Sequence, residues 1–216
     1  MTTAITDFIP PLQLRVDNAP RVLMIHALRE TLIDFCERTQ YWRYECDDLL
    51  TAAVSGTVIR EYALDVPVQT DVVSIRSITF NSNKPVAEQS MDWLDRNDPG
   101  WRSLTGNPDY YVLRDPGTIL LSREPSAAGL AISAVVCLKP SHDALTVGDI
   151  LLTQCRAAIA AGAAANLKKM TGKPWSDLPG AQMNGTEYEA AVEFKGAFAR
   201  DAYTTRRKVR AVAQFM

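Results

Sequence analysis

The run Ala157-Ala-Ile-Ala-Ala-Gly-Ala-Ala-Ala165 narrows the possible folds more than any other stretch of this chain. Alanine has the highest helix propensity, so the run is a helix, and it carries almost no side-chain volume to hold neighbours apart. Leu151, Cys155, Ala158, Gly162 and Ala165 recur at spacings of three and four and form a narrow stripe of small residues. Such a surface admits close backbone approach, so the helix must pack tightly against another. It is expected from about Thr146. Lys168 and Lys169 suit the negative end of its dipole, Gly172 supplies a left-handed residue, and Pro174 forbids continuation.

Two further helices are candidates for its neighbours. Ile25, Leu28, Leu32, Phe35 and Cys36 share one face of a helix predicted from Ala19 to Arg38, with Asn18 as N-cap, Pro20 in the first turn and Asp34 paired with Arg38. The second, predicted from Met183 to Lys208, places Tyr188, Ala191, Phe194, Phe198 and Ala202 on one face. The stripe around Gly162 and the aromatic face at Phe194 and Phe198 are expected to cover the first helix, closing a three-helix bundle.

Between the first and second helices the periodicity changes. Trp42, Tyr44 and Cys46 alternate with Arg43 and Glu45, and short runs rich in Val, Ile, Thr and Tyr follow, broken by Gly, Pro, Asn and Asp. Strands are predicted at Thr57 to Leu64, Asp71 to Phe80, Tyr110 to Arg114, Thr118 to Arg123 and Gly129 to Leu138, with a hairpin turn at Asp115-Pro116-Gly117. A bulge near Arg76 and Ser77 accounts for a slip in the alternation. Residues 82–107, with Trp93 and Trp101, read as a long loop. The expected fold is therefore α+β: a discontinuous helical bundle of residues 1–45 plus 145–216, carrying a basic C-terminal segment, with residues 46–144 as an inserted antiparallel β-sheet or sandwich.

With 216 residues, 47% hydrophobic and 22% charged, the chain has the composition of a globular protein. No basic leader with an apolar run and no uninterrupted apolar stretch of about 18 residues is seen, so neither secretion nor membrane spanning is expected. Cys36, Cys46, Cys137 and Cys155 show no CxxC spacing and are expected as free thiols of a protein made in a reducing cytoplasm. Ser141-His142-Asp143 suggests a nucleophile, yet catalytic triads are assembled from distant segments, and the trio reads better as a polar loop. His26 reads as a packed or surface residue. Asp92, Asp95 and Asp98 lack the spacing of a calcium loop, and no phosphate-binding glycine motif occurs. No catalytic residue, metal or cofactor is expected; a small hydrolase using His142 and Asp143 is the alternative.

The charge is unevenly placed. Arg200, Arg206, Arg207, Lys208 and Arg210 against Asp201 give residues 200–216 a net charge of +4, which leaves −6 for the rest of a chain whose total is −2. With Tyr203, Val209, Val212 and Phe215 interleaved, this end can be a solvated helix terminus, a docking segment for an acidic protein surface, or a phosphate-binding tail of a DNA-binding accessory protein.

Four pieces, in this order, resemble the head-to-tail adaptor proteins of tailed bacteriophages. They are Ala27-Leu-Arg-Glu-Thr-Leu-Ile-Asp-Phe-Cys-Glu-Arg-Thr39 with its Trp42-Arg43 exit; Asp98-Pro-Gly-Trp-Arg102 with Thr105-Gly-Asn-Pro108; Ala160-Ala-Gly-Ala-Ala164; and Gly172-Lys-Pro-Trp-Ser176. The resemblance spans most of the chain. It implies a helical bundle with a β insertion, assembled as a homo-oligomeric ring, usually of twelve copies, beneath the portal of a virion. Such a ring extends the DNA channel, lies close to packaged DNA, and links the portal to tail nozzle or tail-tube proteins. In these adaptors the C-terminal segment commonly clasps the portal. By charge and position, Arg200, Arg206, Arg207, Lys208, Arg210 and Phe215 are the expected portal-docking residues. An acidic body would suit a DNA conduit, because negative walls repel phosphate.

Overall fold

The computed structural model describes residues 2–50, 53–54, 57–58, 60–81, 84–115 and 117–201. In chain order the elements are β1 (Thr2–Ala4), α1 (Ile9–Gln13), α2 (Arg21–Thr39), β2 (Arg43–Leu50), β3 (Ala53–Val54), β4 (Thr57–Val58), β5 (Glu61–Ala63), β6 (Thr70–Phe80) and β7 (Lys84–Glu88). There follow α3 (Met91–Asn97), β8 (Tyr110–Asp115), β9 (Thr118–Leu121), β10 (Ala131–Pro140), β11 (Thr146–Gly148), α4 (Asp149–Lys168) and α5 (Leu178–Arg200).

The alanine-rich helix, α4, is the centre of the fold. Ala158 to Ala165 are all buried, because α4 packs against α1, α2 and α5 together. By length and composition α4 is apolar enough to cross a membrane. Most of its apolar residues are instead buried inside the protein, while Thr153, Gln154, Arg156 and Asn166 are exposed, as in a core helix. A methyl group added at Gly162 would lie 2.6 Å from Cγ2 of Thr31 on α2 and 2.8 Å from Cδ2 of Tyr188 on α5. Glycine therefore sets the spacing of three helices at one point. Thr31 cannot easily yield there, since its hydroxyl donates to the Ala27 carbonyl at 2.8 Å.

The three-helix bundle with a small antiparallel insert is not the fold. Five α-helices are present among the described residues, with one curled, mixed seven-stranded sheet in the order β2-β10-β6-β7-β8-β9-β5 and a two-stranded sheet β1-β11. The reason lies in the width of α2. Met24, Ala27, Leu28, Thr31, Leu32, Phe35 and Cys36 cover more than the side that α4 and α5 can fill, and β10 covers the remainder. Arg29 Nε donates to the Ala144 carbonyl at 3.1 Å, and Lys139 on β10 pairs with Glu37 at 2.6 Å. Sheet residues Ile78, Phe80, Ile132, Val136 and Leu138 and helix residues Leu28, Phe35, Leu151 and Ile159 belong to one continuous core. The N-terminal residues, which the sequence reading left unassigned, add Ile5, Phe8, Ile9, Leu12 and Val16 to that core.

The sheet is mixed because residues 82–107 are not a plain loop. β7 runs antiparallel to β6; the chain then passes through α3 and returns as β8 parallel to β7. Ser90 starts α3, its hydroxyl accepting from Trp93 N at 3.1 Å. Leu94, Trp101 and Val112 close a small separate cluster on this part of the sheet. The bulge expected near Arg76 is present: Val135 pairs with Ser77 but Val136 with Ile75. β8 and β9 form the expected hairpin, whose Gly117 has a φ of 101°.

Helix ends moved for local reasons. α2 begins after Pro20, without a side-chain cap, and Asn18 instead takes a φ of 61° in the preceding turn. α5 starts earlier than Met183 because the Asp177 carboxylate accepts from Gly180 N at 3.0 Å, with Pro179 in the first turn. Its far end is described to Asp201.

Gly162→Ala is expected to destabilise the protein by about 1–3 kcal/mol through overpacking. Gly185→Ala, where an added methyl meets nothing within 4 Å, is expected to stabilise it by about 0.4–1 kcal/mol. Urea denaturation of the two variants decides this, and equal effects would show that glycine does not set the helix spacing.

Candidate interaction surfaces

α5 is apolar on two opposite sides. Ala181, Tyr188, Val192 and Ala199 face inward and are buried. Met183, Ala190, Phe194 and Ala197, stepping by seven, four and three residues, share the outward side. Met183 is 75% and Phe194 67% exposed. Phe194 is predicted on the buried face with Tyr188 and Phe198; its place six residues from Tyr188 puts it about 120° away round the helix, so it turns outward. The period that reveals the outer stripe was present in the sequence, and Phe198, which is half-buried, drew Phe194 to the wrong side.

Polar contacts hold α5 along its length. Arg15 donates to Asn184 Oδ1 and to both Glu187 oxygens, each at 2.7 Å. Arg38 donates to Asp34 at 3.4 Å and to both Glu189 oxygens, one of them at 3.0 Å. Hydrogen bonding to Arg38 holds the Glu189 carboxyl below the usual carboxylate range and raises the guanidinium in turn. The Tyr188 hydroxyl donates to Asp34 Oδ2 at 2.6 Å; burial, then that carboxylate, pushes its titration up. A concavity of about 500 Å³ opens between α2, α4 and α5 beside these groups, lined by Asp34, Arg38, Asn166, Lys169, Tyr188 and Glu189 among others.

A second apolar patch lies on other elements. Val68 is 89% and Leu145 66% exposed. Gln69, with a φ of 64°, ties their two turns together: its carbonyl accepts from Ser141 N at 3.0 Å and its side chain from Leu145 N at 3.0 Å. Val22, on the exposed side of α2 with His26, is 77% exposed.

Of the expected docking residues, Arg200 is the exposed last residue of α5. Arg206, Arg207, Lys208, Arg210 and Phe215 lie outside the described residues, as does Ala202.

Among the described residues, Ser141, His142 and Asp143 are placed as follows. His142 Nδ1 faces Glu30 Oε1 at 3.6 Å, and His26 Nδ1 is 3.9 Å from the same oxygen. Among the described residues His142 shares no side-chain hydrogen bond with Ser141 or Asp143. A concavity of about 750 Å³ lies elsewhere, lined by residues 88–91 and 112–114. Asp95 is engaged by Trp101 Nε1 at 2.7 Å and by Arg102, and these hydrogen bonds, Arg102 first, depress its titration. Among the described residues no three His, Cys, Asp or Glu side chains are placed to hold a metal ion. No protein-family model and no curated protein sequence matches the chain.

All four cysteines are free and buried. Burial pushes the Cys36 thiol up, with Cys155 and Cys137 nearby adding to the effect, and pushes the Cys155 thiol to about 12. The thiolate is the reactive form, so these groups are inert while the fold is closed. The native protein is expected to resist a thiol reagent at pH 8, and all four cysteines to react in denaturant. Rapid titration of any one of them in the native state would contradict this.

Proposed function

We propose that the protein is a noncatalytic connector of the head-to-tail adaptor type, which self-associates into a ring under a phage portal and binds that portal through its basic C-terminal end. The fold differs from the bundle that the resemblance implies, so the weight falls on the surface. The carrying observation is the outward stripe of α5, Met183, Ala190, Phe194 and Ala197, opposite a face that is already buried. A helix apolar on two sides is matched to contacts on both.

The Val68 and Leu145 patch supports a ring rather than a symmetric pair. A two-fold dimer uses one patch against itself, whereas a closed ring needs two different patches on every subunit, related by a rotation that closes. Two apolar patches lie on different elements among the described residues. Charge adds a second argument: the basic end, +4 over residues 200–216, suits an acidic portal surface, and its separation from an acidic body orients the approach.

Mixing the purified protein with portal rings tests the reading by sedimentation and negative-stain microscopy. Stoichiometric co-sedimentation with ring-shaped density is expected. Phe194→Asp is expected to leave the circular dichroism unchanged and reduce ring formation at least tenfold, the scale of a hot-spot residue. Truncation after Tyr203 is expected to preserve the fold and abolish portal binding. Salt-sensitive duplex binding without portal binding would favour a DNA-binding accessory protein instead.

A further inference from the structure

β7 stops early, and the strands on either side of it do not. Its ladder with β6 pairs only Ile78 with Val86, Thr79 with Pro85 and Phe80 with Lys84, although β6 begins at Thr70. Its parallel ladder with β8 pairs Ala87 with Tyr110 and Glu88 with Tyr111. The Gln89 N–H then donates to the Tyr111 carbonyl at 2.9 Å, and the chain leaves the sheet for α3. Past that point β6 and β8 continue with no strand between them among the described residues.

The alternation of the ladders fixes which main-chain groups face this opening. Ser122 N donates to the Tyr110 carbonyl at 2.9 Å, and two residues further on Val112 lies opposite Leu120. Val112 therefore bonds toward β9, and its neighbours Tyr111 and Leu113 point their N–H and carbonyl groups the other way. Tyr111 meets Gln89 there. Leu113 meets no strand, and its main chain borders the concavity of about 750 Å³ lined by residues 88–91 and 112–114. An added Cβ at Gly117 would lie 3.9 Å from Val72 Cγ2, so the tip of the β8–β9 hairpin meets β6 and limits the opening to a few residues.

We infer that a short extended peptide segment of a partner protein enters this opening as the strand that β7 leaves off. Unpaired N–H and carbonyl groups at a sheet edge are a template for strand addition. An opening within a sheet offers such groups on both sides of the entering strand, where an outer edge offers them on one. Side chains on the two banks set the sequence that fits. Ile75 on β6 and Leu113 on β8 are both half-buried against the main core, whereas Arg114 is exposed. Because side chains alternate along a strand, the segment has apolar residues at every second position, polar residues between them, and no proline where a donor is needed. The sheet alone carries this site; neither the α5 stripe nor the basic end enters it.

The test is amide hydrogen exchange of the full chain, alone and with a capped Thr-Val-Thr-Val-Thr pentapeptide, beside the same peptide N-methylated at both valines. In the free chain the Leu113 N–H is expected to exchange about tenfold faster than the Val112 N–H, which β9 holds. The plain peptide is expected to slow Leu113 by about tenfold at saturation, and the methylated one to leave it unchanged. Leu113→Pro removes the donor and is expected to lose the peptide with circular dichroism unchanged; if that variant does not fold, the two peptides decide alone. Equal protection of Leu113 and Val112 in the free chain would overturn the inference. So would a Leu113 amide that the plain peptide leaves untouched, or that both peptides protect equally.

Discussion

Everything in this fold is arranged around the contact of α4 with Thr31 and Tyr188 at Gly162. Because the central helix presents no side chain there, α2 and α5 approach it at the same level, and each brings a hydroxyl that is satisfied locally: Thr31 on the Ala27 carbonyl, Tyr188 on the Asp34 carboxylate. The polar atoms at this junction therefore add no unpaired group to the core. The approach also fixes which residues of α2 are left over, and those residues are what the sheet must cover. An α4 built from leucines would hold its neighbours a side chain further apart and could not share its girth among three helices.

This explains which parts of the architecture were legible in the sequence. The stripe of α4, the strands of β6, β8, β9 and β10, the bulge at Arg76 and the hairpin at Gly117 follow from local period and turn chemistry, and local signals survive in any tertiary setting. The arrangement of the parts did not follow. Period gives the face of a helix but not how wide a partner that face requires, so α2 was assigned two helices where it also needs β10. β7 and α3 were hidden because five and seven residues are too few to establish a period against Trp93, Pro99 and Gly100. The parallel pairing of β7 with β8 depends on where the chain goes after Glu88, which residue type does not encode.

The candidate surfaces show the same division. That residues 200–216 are basic is a matter of counting, and Arg200 closes α5 in the open. Phe194 was legible as helical but assigned to the wrong side, since Tyr188, Ala191 and Phe198 offered a plausible face and its true companions, Ala190 and Ala197, are small. Arg15 was legible only as a charge, and Arg38 only through its local pair with Asp34. Their partners on α5 are more than a hundred residues away in sequence, and no local pattern marks such pairs.

The way α5 is held bears on how it could work. Its inner face buries Ala181, Asn184, Tyr188, Val192, Gly196 and Ala199, so four of the six are small or polar, and apolar burial contributes only about 25 cal/mol for each Å² removed from water. The arginine contacts that flank it are partly exposed, and exposed ion pairs contribute about 0–1 kcal/mol each and weaken with salt. Neither would hold a long helix firmly alone. Together they place it, while Met183 and Phe194 face away from the body. On the proposed reading this distribution is functional: a neighbouring subunit that covers the outer stripe would complete the burial of α5, and the helix would be firmest only in the ring. Helix attachment and ring assembly would then be one equilibrium.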